Sequence, residues 1–105
     1  MTTFDKREEE FEKKFALDEE QKFKAESRRN RLLGLWAAEK LGLSGDAATA
    51  YAKEVVTAEF EQADGVLGKV MGDFAAKSVA VTEKAIRAKM NELLAVAAAE
   101  VKAGK

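Results

Sequence analysis

The segment Gln21–Gly42, QKFKAESRRNRLLGLWAAEKLG, decides the fold. Its first half is basic: Lys22, Lys24, Arg28, Arg29 and Arg31 against Glu26 give +4 over residues 21–31. Its second half turns apolar through Leu32, Leu33, Leu35, Trp36, Ala37 and Leu41. Gly42 then suits the left-handed position just past a helix end. The spacing predicts a helix over 21–41 whose second half faces a core.

Downstream, the same pattern repeats three times. Ser44 is placed to cap a helix over 45–62 with Ala48, Tyr51, Ala52, Val55 and Ala58 on its inner face. Asp64 is placed to cap a shorter helix over 65–77, where Leu67, Val70, Met71 and Phe74 share one face. Gly68 and Gly72 weaken that helix by about 1 kcal/mol each relative to Ala, and suit either a close approach to a neighbouring helix or a mobile element. Ser78 or Thr82 is placed to cap a last helix over 81–102, with Ile86, Met90, Leu93, Leu94, Ala97 and Val101 on one face. Proline is absent and no alternating run marks a strand. The expected fold is all-α: a four-helix bundle over 21–105.

Upstream lies a different kind of segment. Residues 1–20 hold eight acids against Lys6, Arg7, Lys13 and Lys14, a net −4, and also Phe4, Phe11 and Phe15. On a helix those rings fall within roughly 40° of one another. So thin a stripe suits a groove on another protein better than a place in a core. An isolated helix of this length is marginal in water, so the expectation is a mobile, partly helical arm over 1–20 that becomes helical on docking. The alternatives are packing of the three rings on the bundle and a membrane-surface helix. The narrow apolar face and the negative charge fit the latter poorly.

Composition excludes several classes of function. With no His and no Cys, the chain lacks imidazole and thiol chemistry and the usual zinc ligands. The Gly65–Val70 stretch fails the phosphate-loop pattern, because Ala63 stands where a first glycine is needed and Val70 follows Lys69. The acids are scattered over what read as solvated helix faces, which leaves a carboxylate pair for acid–base work open but unfavoured, and no catalytic residue, metal or cofactor is assigned. A net charge of −1 argues against nucleic acid as a partner. No apolar run spans a bilayer and no signal-peptide core is present, so membrane insertion is not expected and a cytoplasmic location is. The basic run fits three readings: a solvated face, a docking surface for an acidic partner or for the arm, or weak adenine-nucleotide contact by Arg28, Arg29 and Arg31.

The words TTFDKREEEFEKKFALDEEQKFKAESRRNRLLGLWAAEKLG and SGDAATAYAKEVVTAEFEQ closely resemble the zeta inhibitor subunits of alphaproteobacterial F-type ATP synthases, over essentially the whole chain. The FDKRE opening, Phe11-x-x-x-Phe15 and RRNRLLGLWAAEKLG carry the resemblance. It implies an intrinsically disordered N-terminus and an inhibitor of ATP hydrolysis bound to the catalytic head, its alpha, beta and gamma subunits, of the synthase at the inner membrane. The N-terminal segment would enter a catalytic α/β interface near the central stalk. Phe4, Phe11 and Phe15 would then be the apolar anchors, with Arg7, Lys13, Lys14 and the acids Glu8 to Glu12 making polar contacts around them.

Overall fold

A computed structural model describes residues 16–105, and among them every regular element is a helix. Helix α1 spans Glu19–Lys40, α2 Gly45–Glu61, α3 Gly65–Ala76 and α4 Glu83–Lys102. The expected four-helix bundle is the observed one.

Helix α1 begins where Asp18 closes a capping box. The Gln21 N–H donates to Asp18 Oδ1 at 2.8 Å and the Asp18 N–H donates to Gln21 Oε1 at 3.2 Å. Glu19 and Glu20, grouped with the arm by their charge, thus form the first turn of α1, where the helix dipole favours acids. At the other end the Leu43 N–H donates to the Ala38 carbonyl at 2.9 Å and the Gly42 N–H to Glu39 at 3.1 Å. With Gly42 at φ +80°, this is a Schellman closure, and it stops α1 on the residue its sequence marks.

The other caps divide. Thr82 Oγ1 accepts from the Ala85 N–H at 3.1 Å, as a capping threonine should. Ser44 and Asp64 occupy cap positions but their side chains make no capping bond. The glycines that follow them, Gly45 at φ +56° and Gly65 at φ +60°, open those helices in left-handed backbone instead.

The core forms around the second half of α1. Leu33, Ala37 and Ala38 meet Tyr51 and Val55 of α2, Val66, Val70 and Phe74 of α3, and Ile86 of α4. Helix α1 packs against both α2 and α4, while α3 leans mainly on α2. Trp36 is half-buried and meets Phe74 edge-to-face, with ring centroids 5.8 Å apart. Lys40 and Lys89 lie 5.4 and 5.8 Å from the centre of the Trp36 ring.

Two expectations need correction. The buried face of α3 is Val66, Val70 and Phe74, with Met71 exposed. Leu67 of the expected face packs partly buried against the core, but Val66 takes the place of Met71, which turns to solvent. The close helix–helix approach is not at Gly68 or Gly72 either. A methyl group on Gly72 would meet nothing, and on Gly68 it would meet only the neighbouring Asp64 of the same turn. At Gly34 the added carbon would stand 2.6 Å from the Ala52 Cα, so the close approach of α1 to α2 is at Gly34.

Candidate functional site

Beside the Gly34–Ala52 seam, on the side away from α3, helices α1 and α2 leave an open groove of about 770 Å³. Its apolar lining is Phe23, Leu35, Ala52 and Val56. Phe60 extends it at the end where α1 begins. Phe23 is 61% exposed and Phe60 73%, unusually high for two neighbouring aromatic rings in so small a domain.

Basic side chains edge this groove. Lys24, Arg28 and Arg31 are spaced i, i+4, i+7 and line it as one ridge of α1, and Lys53 lines it from α2. The ridge is partly engaged already. Lys24 Nζ lies 3.2 Å from Glu20 Oε1 in an exposed pair. Arg28 donates to Glu100 Oε1 at 3.3 Å and to the Lys105 carbonyl, which ties α1 to the end of α4. Arg31 is exposed. The same end of α4 holds the chain's entry point, because Lys102 Nζ donates to the Ala16 carbonyl at 3.3 Å.

The three arginines singled out for nucleotide contact do not converge. Arg28 and Arg31 line the groove, but Arg29 turns inward and is buried beside Asn30. Its Nε donates to Asn30 Oδ1 at 2.7 Å, and Asn30 Nδ2 donates to Glu59 Oε2 at 3.3 Å. That network links the first half of α1 to the last turn of α2 through hydrogen bonds, where the second half uses apolar packing. Neighbouring residues on a helix are separated by about 100°, so three near-consecutive arginines cannot all face one site.

A second polar cluster joins α2 to α3. The Tyr51 hydroxyl donates to Asp73 Oδ2 at 2.7 Å, and Lys69 Nζ lies 3.1 Å from the same oxygen and 5.1 Å from the Tyr51 ring centre. Burial, then the hydrogen bond and charge of Asp73 and the charge of Glu54, push the Tyr51 hydroxyl far above its ordinary pKa. It stays a neutral donor and serves as a clamp between helices. Among the described residues, no three acidic side chains gather as a metal ion would require.

Phe4, Arg7, Phe11, Lys13, Lys14 and Phe15 lie outside the described residues. The groove itself was missed in the sequence. Phe60 sits two residues past inward-facing Ala58, on the opposite side of α2, and that offset was its signal. Phe23 stands out only once Ala25 is known to be the buried position beside it.

A family model described as ATPase inhibitor subunit zeta matches residues 1–100. A protein whose structure was solved in solution by NMR is 52% identical to this chain and superimposes with a TM-score of 0.67. The match covers 79% of this chain and 96% of that one. No curated protein matches the chain.

Proposed function

The chain belongs to the ATPase inhibitor subunit zeta family, and on that premise we propose that the N-terminal arm, read from the sequence as residues 1–20, inhibits ATP hydrolysis by entering a catalytic α/β interface of the F-type ATP synthase near its central stalk. As a member of that family the protein is a regulatory subunit and not an enzyme. Its partner is the ATP synthase. The observation that supports the finer reading is the extent of the match, which begins at residue 1 and so includes the whole Phe4, Phe11, Phe15 stripe.

The architecture is compatible with that division of labour. Helix α1 is capped by Asp18 and Gln21, so no residue before position 18 is needed to complete it. The preceding segment is thereby left to serve another surface. On this reading the three rings enter an apolar crevice of the partner while Arg7, Lys13 and Lys14 meet polar groups at its rim. A helix wedged between subunits that must separate during hydrolysis would obstruct that cycle. None of the described helices is long and apolar enough to cross a membrane, so attachment to the membrane-bound synthase would run through its catalytic head.

Phe11→Ala tests the stripe. Burying a phenylalanine contributes on the order of 1.5–3 kcal/mol, so the variant should need roughly 10- to 100-fold more protein for half-inhibition. Hydrolysis by the purified catalytic head, measured against protein concentration, reads this directly. An unchanged titration would remove Phe11 from the interface. A second reading is adenine-nucleotide binding, which the shared placement of Arg28 and Arg31 on one groove favours, since guanidinium groups suit phosphates. Titration with ATP should then shift the backbone amides of residues 23–35.

A further inference from the structure

Four cations and no carboxylate line the open groove between α1 and α2, over a floor of Phe23, Leu35, Ala52 and Val56. We propose that this groove is a docking surface of the bundle, built to take an acidic amphipathic helix exposed on the ATP synthase. The chemistry of the occupant follows from the groove alone. Its place on the synthase rests on the functional reading given above.

Charge selects the occupant's sign. Lys24 and Arg28 already have carboxylate partners, in Glu20 and Glu100. Arg31 on α1 and Lys53 on α2 also line the groove, yet among the described residues neither makes an ion pair. Cations that the fold does not use, set beside an apolar floor, complement an acidic surface. The chain as a whole carries a net charge of −1, so the positive sign belongs to this groove and not to the molecule.

Shape selects a helix. Lys24, Arg28 and Arg31 form a ridge roughly 10 Å long. A single carboxylate would meet one member of it, whereas a helix with acids at the same i, i+4, i+7 spacing meets all three. From Phe23 to Leu35 the groove offers roughly 18 Å, or about three helical turns. Helix-in-groove recognition sets apolar anchors at i, i+3 or i+4, and i+7 along such a length. The exposed rings of Phe23 and Phe60 would flank the anchor at the end where α1 begins. An anionic bilayer fits less well, because that end of the groove also carries Glu26 and Glu59. A second copy fits less well too, since a two-fold pairing would set the basic ridge against itself. The other exposed large apolar side chains, Met71 and Val96, stand on different helices and form no stripe that could enter the groove.

A bundle held at this groove would make the binding of the inhibitory segment effectively intramolecular, raising its local concentration without adding a contact at the catalytic interface. The groove would then set how tightly the protein holds the synthase and not how completely it blocks hydrolysis.

The test uses the full-length chain and the purified ATP synthase of the same source. Since the sequence has no Cys, Ala76→Cys, exposed at the end of α3, gives one site for a fluorescent label whose anisotropy reports binding. Arg31→Glu and Phe60→Ala should each weaken binding about tenfold. Circular dichroism should stay unchanged, because both side chains are exposed. Arg31→Lys should keep most of the affinity, and added salt should weaken the parent chain more than Arg31→Glu. The occupant is identified by a benzophenone carried on Thr57→Cys, at the groove wall. Its cross-links, mapped by mass spectrometry, should fall on one acidic amphipathic helix of a synthase subunit and be lost with Arg31→Glu. Cross-links to the chain itself, to a second copy or to lipid would overturn the proposal, as would binding indifferent to both substitutions. Indifferent binding by a chain that still inhibits hydrolysis would reject the groove and leave the inhibitory reading standing. Groove-dependent binding by a chain that does not inhibit would do the reverse.

Discussion

The two halves of α1 differ more from each other than α1 does from its neighbours. In the second half, Leu33, Gly34, Ala37 and Ala38 are all buried, and α2, α3 and α4 close around them. In the first half the buried residues are Ala25, Arg29 and Asn30, and beside the packing of Ala25 it is tied down by hydrogen bonds to Glu59, Glu100 and the Lys105 carbonyl. There Phe23 and Arg31 remain outward. One helix thus supplies both the anchor of the fold and a surface that the fold leaves uncovered. Apolar packing needs no direction and closes a core on all sides, whereas hydrogen bonds hold a helix at a few points and leave the faces between them open.

The comparison predicts unequal costs along α1. Leu33→Ala removes a fully buried side chain from the centre of the core and should lower stability by about 2–5 kcal/mol. Gly34→Ala adds one carbon, yet that carbon would press on the Ala52 backbone. Separating α1 from α2 should cost about 1–3 kcal/mol, unusual for a substitution that normally favours helix. In the first half, Phe23→Ala removes a much larger group and should change stability by no more than about 0.5 kcal/mol, because the ring is mostly in solvent. Urea titration followed by circular dichroism ranks all three. A Phe23→Ala loss comparable to that of Leu33→Ala would erase the distinction between the halves.

Much of the fold was legible because its signals are local. Gly42 marked the end of α1 and Thr82 capped α4, since each acts within a turn of its own position. Gly34 was not legible, because a small residue inside an apolar run gains meaning only from what faces it, and Ala52 lies eighteen residues away. The α3 face was displaced by one position for a related reason: Met71 fits the helical period as well as Val66 does, and only the neighbouring helices decide that Val66 is buried and Met71 is not. Of the arginine cluster, sequence gave the charge and not its division. Burial of Arg29 against Asn30 and engagement of Arg28 by Glu100 are decided by helices distant in the chain. The groove followed from the same non-local facts, since it exists only where α1 and α2 lie side by side.

The central claim is that the bundle carries the inhibitory segment without itself blocking hydrolysis. It is tested most directly by comparing the full chain with a chain of residues 16–105 in hydrolysis assays on the ATP synthase of the same source. The truncated chain retains the Asp18 cap and should keep the four helices and unfold cooperatively. The full chain should inhibit hydrolysis and the truncated chain should not. Equal inhibition by both would contradict it and move the inhibitory surface onto the bundle.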